Sequence, residues 1–407
     1  MKKLLHILAA SLISSAPVTG STAEATVSDG KVKIGVLADM SGVYADACGP
    51  GCLEAVRMAV DNFGGSVLGA PIEVVSADDQ NKPDLGAAKV REWIEQGQVD
   101  AVTGLVSTAV TGAATKLLTA NERIALIVGA ASNAFTTSEC SPFNAHWTYD
   151  VVSLVAGTVK PMVESGKKKW FFITADYTFG YDLEKAATEI ITASGGEVLG
   201  SVRAPLGTTD FSSYVLQAQA SGAEVIAMAN SSADLVNALK AASEFGITEM
   251  ADVAGLLVVT TAAKAMDPSV AAGMNLTAPF YWDMDEVTRD WSARFKARSS
   301  VSIPTALHAS AYSSTLHYLK AIEAAGTDEA KAVMAKMKTM PVNDVFSRNG
   351  YLRRDGRLVH DMYLVRIKGP SERESENDIF VVEKTLPGDD VYLSLEAGGC
   401  SFALNRQ

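Results

Sequence analysis

From Lys31 onward the chain alternates short apolar runs with longer amphipathic segments, and this alternation restricts the possible fold more than any other feature. Residues 32–37 read as a buried strand. Residues 52–63 read as a helix, because Leu53, Val56, Ala59, Val60 and Phe63 recur on one face and Gly64-Gly65 stops it. The series continues as strand 72–76, helix 84–96, strand 101–105, helix 108–120 and strand 124–128. Strands separated by whole helices cannot pair as hairpins, so they predict a parallel sheet covered by helices on both faces. A second run follows Asp150, with strands 170–174, 198–203, 225–229 and 253–260, and helices near 181–193, 211–220 and 233–245. The fold class is therefore α/β, with two successive doubly wound parallel-sheet lobes. The last part differs: helices at 306–325 and 328–340, a turn at Asp355-Gly356, strand-like segments at 363–367 and 379–383, and a polar loop at 369–377. It reads as β-hairpins appended to an α/β lobe.

Length supports two lobes. A chain of 407 residues exceeds the ~250–300 at which a single core stops growing. Hydrophobic residues make up 48%, enough to fill both cores. The net charge of −12 argues against nucleic acid or an anionic membrane as partner. Lys2 and Lys3, the short apolar stretch 4–13 and the small-residue site Ala23-Glu24-Ala25 predict a secretory signal peptide over 1–25. The apolar stretch is shorter than the ~20 residues a spanning helix needs. No Cys stands at the cleavage site, so a lipid anchor is not indicated. The expected location is the periplasm.

There are four cysteines, Cys48, Cys52, Cys140 and Cys400, and an exported chain is expected to oxidise them. Of three possible pairings we favour Cys48–Cys52, around Gly49-Pro50-Gly51, and Cys140–Cys400, which would pin the C-terminal tail. Cys48-x-x-x-Cys52 lacks a second Cys or His pair at ligand spacing, so no metal is expected. No phosphate-cradling glycine loop, H-E-x-x-H or G-x-S-x-G elbow occurs, and the histidines beyond residue 25 (His146, His308, His317, His360) are scattered. These absences favour a binding protein without a cofactor over an enzyme.

Several segments, in order along nearly the whole chain, resemble the type I periplasmic solute-binding proteins of ABC transporters, and within them the branched-chain amino-acid-binding family. The resemblance is carried by Lys33-Ile34-Gly35-Val36-Leu37 followed by Asp39-Met40-Ser41-Gly42-Val43-Tyr44, and by Gly69-Ala70-Pro71-Ile72-Glu73-Val74. Further along it is carried by Asp79-Gln80-Asn81-Lys82-Pro83-Asp84, Thr174-Ala175-Asp176-Tyr177-Thr178-Phe179-Gly180 and Asp210-Phe211-Ser212. It implies two lobes joined by three crossovers, near residues 148–150, 278–282 and 341–346. Lobe one would hold 31–149 plus 280–342, lobe two 150–279 plus 343–400, and 401–407 would be a tail. It also implies a monomer that closes on a small-molecule ligand and passes it to a membrane permease. A sensor for a signalling partner, or a secreted enzyme, are the competing readings.

Ligands of open α/β sheets bind beyond the carboxyl ends of the strands. Ser107 and Thr108 open a helix there and could hold a carboxylate, or merely cap the helix. By resemblance, Ala130, Ala131 and Ser132 contact ligand after the next strand, where a plain turn is the ordinary reading. Tyr177 and Phe179 would close from the second lobe, unless they only fill its core. Asn230, Ser231 and Ser232 could donate hydrogen bonds or cap. Tyr44, Tyr149 and Leu256 complete the candidate set, and Trp147, Tyr281 and Trp282 fall in cleft or hinge segments. The family's acidic partner for a ligand ammonium is missing from Ala254-Gly255-Leu256-Leu257-Val258. Burying an ammonium without an anion is costly. The run 141–150 also resembles binders of aromatic carboxylates. The expected ligand is thus a carboxylate with an apolar or aromatic body.

Overall fold

The computed structural model describes residues 27–404; the expected signal peptide and the last three residues lie outside them. β1 (Val32–Ala38), β2 (Ser66–Val67), β3 (Ala70–Asp78), β4 (Ala101–Gly104), β5 (Ile124–Ile127) and β6 (Asn144–His146) form one sheet in the order β2-β3-β1-β4-β5-β6. All neighbours are parallel except the β2–β3 pair. β1 lies centrally, with Ile34 opposite both Val74 and Ala101. Nearly every β1 side chain is buried, as an uninterrupted apolar run in a two-sided sheet requires.

The second parallel sheet contains β7 (Lys169–Ala175), β8 (Glu197–Ala204), β9 (Val225–Ala229) and β10 (Asp252–Gly255), in the order β10-β9-β7-β8. The chain then adds β11 (Asn275–Ala278), β12 (Pro341–Val342), β13 (Gly350–Leu352), β14 (Leu358–Val359), β15 (Met362–Ile367) and β16 (Phe380–Leu386). These make two antiparallel sheets, β11-β15-β16 and β12-β13-β14. The first shares a core with lobe two: Leu276, Val365, Ile367 and Phe380 pack in one cluster with Phe171, Ile226 and Met228. The second meets lobe one, where His146 bridges to Arg357. The expected hairpin tail is therefore split between the two lobes.

One expected strand, 253–260, is cut short. β10 ends at Gly255, and the chain doubles back so closely that a Cβ there would meet Val258 Cγ2 at 2.5 Å. Residues 256–259 leave the sheet before helix Thr260–Ala265. Two helices escaped the periodicity reading, Val151–Glu164 and Glu286–Arg298. Each starts at a reciprocal box, Asp150 with Ser153 and Asp285 with Thr288, which satisfies exposed N–H groups at the helix start.

Helix Gly49–Phe63 begins earlier than its apolar spacing suggests. Pro50 suits the first turn, where no N–H is needed, and Gly64 ends the helix in the left-handed region at φ 113°. Gly51 lets this helix approach Ala306–Ala325, since a Cβ there would lie 2.3 Å from His308 Nε2. Both favoured disulfides are present, Cys48–Cys52 and Cys140–Cys400. Among the described residues no helix is long and apolar enough to cross a membrane, and no cluster of three His, Cys, Asp or Glu side chains could hold a metal.

Candidate functional site

The carboxyl ends of β1, β4 and β5 face those of β7, β9 and β10 across a narrow cavity between the two sheets. Each strand end contributes. Tyr44 and Ala47 come from the loop after β1, Val106 follows β4, and Gly129 follows β5. From the other lobe come Tyr177 and Phe179 after β7, Ser231 and Ser232 after β9, and Leu257 and Val259 after β10. Tyr149, between β6 and helix Val151–Glu164, and Leu307, in the first turn of Ala306–Ala325, complete the wall.

The Tyr44 loop is shaped by a buried carboxylate. Asp39 Oδ1 accepts the N–H of Gly42 (2.6 Å) and Ser41 (3.3 Å), while Oδ2 accepts from Tyr44 N (3.0 Å) and Asn81 Nδ2 (2.5 Å). Three fixed N–H groups turn the chain so that Tyr44 points across the cleft. There its hydroxyl meets the Tyr177 hydroxyl of the other lobe in a short hydrogen bond. Tyr177 also stands beside Phe179, with ring centroids 5.8 Å apart. Burial pushes the phenols of Tyr44, Tyr149 and Tyr177 up, so all three stay neutral hydrogen-bonding groups.

At the end of β9, polar capacity is left open. The hydroxyls of Ser231 and Ser232 and both amide atoms of Asn230 are buried without a partner. Ser232 adopts φ 51°, a left-handed conformation that costs a β-carbon-bearing residue about 1–2 kcal/mol. On the facing lobe, the Thr108 hydroxyl is likewise buried and unpartnered. Helices Thr108–Ala120, Thr178–Ala193 and Ser232–Glu244 start beside the cavity, and none has a side-chain cap. Their free N–H groups and unused hydroxyls favour an acceptor, above all an anion.

No charged side chain lines the cavity. The carboxylate of Asp234, buried one turn into helix Ser232–Glu244, is pushed up to about 6 by burial. Its Oδ2 accepts the Gly207 N–H at 3.1 Å, and its Oδ1 has no partner.

Tyr44, Tyr149, Tyr177, Phe179, Ser231 and Ser232 thus come together as wall residues. Ser107, Thr108, Ala130, Ala131, Asn230 and Leu256 are buried one or two positions away from it, behind Val106, Gly129, Ser231 and Leu257. The Ala130 carbonyl lies 2.7 Å from His146 Nε2, and the Ala131 carbonyl accepts from Val151 N at 2.8 Å. Ser132 lines a separate groove and accepts from Ala134 N at 3.3 Å. Trp147, Tyr281 and Trp282 lie outside the wall. Trp147 Nε1 donates to Ser313 Oγ (3.0 Å), and Tyr281 and Trp282 both donate to the Asn377 carbonyl (3.1 and 2.9 Å). Val106, Gly129, Leu257, Val259 and Leu307 had no sequence signal beyond position at a strand end or helix start.

Comparison with known proteins gives the family and the fold. The family model described as periplasmic binding protein matches residues 31–374. The crystal structure of a periplasmic binding protein from Burkholderia mallei is 42% identical, with a TM-score of 0.90, over 93% of this chain and 100% of that one. A branched chain amino acid ABC transporter periplasmic ligand-binding protein from Burkholderia xenovorans is 37% identical, with a TM-score of 0.80, over 91% and 99%. The Leu/Ile/Val-binding protein homolog 6 of Brucella abortus is 27% identical over 194 residues, 47% of this chain and 49% of that protein. The aligned part thus spans about half the length of this curated relative. With a family match over most of its length and a 42% identical structure aligned from end to end, the chain belongs to the periplasmic binding protein family.

Proposed function

We propose that this protein is the exported, monomeric ligand receptor of an ABC importer, and that its ligand is a small carboxylate with an apolar or aromatic body. The two lobes close on the ligand about the crossovers between them, and the closed form docks on a membrane permease. One observation carries this reading: a buried cavity between the lobes, lined by tyrosines and aliphatic side chains, with no charged group in its wall. Unused hydroxyls of Ser231 and Ser232 and uncapped helix starts offer donors to the carboxylate. The aromatic and aliphatic wall takes the body of the ligand. Leu257 occupies the part of the wall contributed after β10, where an ammonium would need an anion. The names of the relatives support a transport role and keep branched-chain amino acids among the candidates.

A thermal-shift and calorimetric screen of benzoate, 4-hydroxybenzoate, phenylacetate, benzamide and leucine tests the proposal. Aromatic acids should raise Tm and benzamide should not. Tight leucine binding without any response to aromatic acids would sink the ligand assignment.

A further inference from the structure

We propose that the C-terminal tail is a fourth tie across the hinge, made permanent by the Cys140–Cys400 disulfide, and that it restricts how far the lobes open. This rests on the hinge-closure reading above.

β16 ends at Leu386 in the sheet that shares the lobe-two core. A few residues on, the chain is on the outer face of the hinge. The Tyr351 hydroxyl on β13 donates to Asp389 Oδ1 at 2.7 Å, and Arg353 Nη1 donates to the Leu393 carbonyl at 2.7 Å. The end of the tail is then bonded through Cys400 to Cys140, in the lobe-one loop between β5 and β6. The link joins residues 260 apart, so no local turn could replace it. Lobe two is thereby connected to lobe one at a place separate from the three crossovers.

The tail also supports the first crossover from behind. The Tyr392 hydroxyl is 2.8 Å from His360 Nε2, which is itself 2.8 Å from the Thr148 carbonyl. The Tyr392 ring lies under the guanidinium of Arg357, 4.7 Å from ring centroid to Cζ. Arg357 is fully buried and donates from Nη1 to the Tyr149 carbonyl at 2.8 Å. Tyr149 is a wall residue of the ligand cavity. A path of direct contacts therefore runs from the tail to that wall. The tail's Ala397, Gly398 and Gly399 also line a groove whose other sides are the lobe-one loop at Ser132–Asn133 and the lobe-two helix at Asp182–Lys185. Separation of the lobes must widen this groove, and the tied tail opposes it.

A short flexible tail held only by noncovalent contacts would fray, as chain ends do, and the tie would come and go. The disulfide removes that freedom. Reduction, which takes two electrons and two protons from a thiol reductant and leaves two thiols, converts the tie from permanent to intermittent. More open conformers then become accessible, and the open population rises.

The test needs no ligand. Hydrogen exchange and small-angle X-ray scattering would be compared for the parent protein and for a Cys140→Ser/Cys400→Ser variant, which keeps Cys48–Cys52. To separate loss of the bond from misfolding of that variant, the same measurements are made on a Cys48→Ser/Cys52→Ser variant purified oxidised and then reduced in place. Breaking the bond is expected to speed exchange at the cleft amides of residues 106–108 and 231–232 on the order of three- to tenfold, with β1 and β7 unchanged. The scattering should show a larger mean radius of gyration. Faster exchange confined to residues 387–404, with cleft and radius unchanged, would overturn the tie and leave hinge closure standing. If neither parent nor bond-broken protein opens at all, both the tie and hinge closure fail.

Discussion

The hydroxyl pair between Tyr44 and Tyr177 is the direct polar contact made across the mouth of the cavity, and its energetics can be worked from burial. Tyr44 is 5% exposed and hydrogen-bonds through its hydroxyl to Tyr177 alone. Tyr177 is half-buried. In Tyr177→Phe the Tyr44 hydroxyl is stranded in the closed state, at a cost of about 1–3 kcal/mol, but is free to meet water when the lobes separate. The closed state loses that amount, and affinity should fall about 5- to 150-fold, since 1.4 kcal/mol is tenfold. In Tyr44→Phe the Tyr177 hydroxyl, itself desolvated by burial, is stranded in the same way, so the loss is again about 1–3 kcal/mol, or about 5- to 150-fold. The double phenylalanine variant strands nothing. It should bind better than either single variant despite carrying one more substitution. Isothermal titration of the four proteins with the tightest ligand from the screen gives the cycle directly. Strictly additive losses, or a double variant weaker than both single variants, would refute the reasoning.

Two further outcomes follow from the interior. Burial lowers His308 and His360 to about 4, while Asp79, Asp100 and Asp234 are pushed up by burial to about 6. As pH falls from about 6.5 to 4 the unfolded state takes up the histidine protons first, so those groups lose stability. Over about 6 to 4 the folded state takes up the aspartate protons first, so those groups gain it. The two sets of groups therefore act in opposite directions across this window. Asp234→Asn removes one gain, so its Tm should fall relative to the parent as pH drops from 6 to 4; a parallel pair of Tm–pH curves would contradict this. Gly51→Ala would drive a methyl into His308, which is held by Thr305 N at 3.0 Å and stacked on Phe295, so it cannot yield. Overpacking of this kind costs about 1–3 kcal/mol, read as a lower urea midpoint with an unchanged slope.

Strand-end loops were legible as the place to look, yet the residue within each loop was often not. Resemblance pointed to Ser107, Ala130 and Leu256, whereas Val106, Gly129 and Leu257 face the cavity. The reason is local backbone geometry. Gly104 and Leu105 both have positive φ, 86° and 51°, and Ser232 has φ 51°. Such turns break the two-residue alternation of a strand, so side-chain direction after the strand end no longer follows from counting. Aromatic residues showed the same limit from another side. Tyr44, Tyr149 and Tyr177 reach the cavity, while Trp147, Tyr281 and Trp282 spend their polar atoms on Ser313 and Asn377 away from it.

What the sequence determined by itself was the pattern set by near-neighbour physics. Apolar runs broken by helical spacing gave strands crossed over by helices, and glycine pairs and proline placed many boundaries; Val225–Ala229, Thr108–Ala120 and Ala306–Ala325 match to the residue. Everything that depended on contacts between distant segments was decided only by the tertiary structure. The buried Arg357 behind Tyr149, the hydroxyl pair across the lobes and the split of the last strands between two sheets all join residues tens to hundreds of positions apart. Such contacts leave no periodic trace in the chain, because their free energy comes from desolvation and pairing at a place that exists only once both lobes have folded.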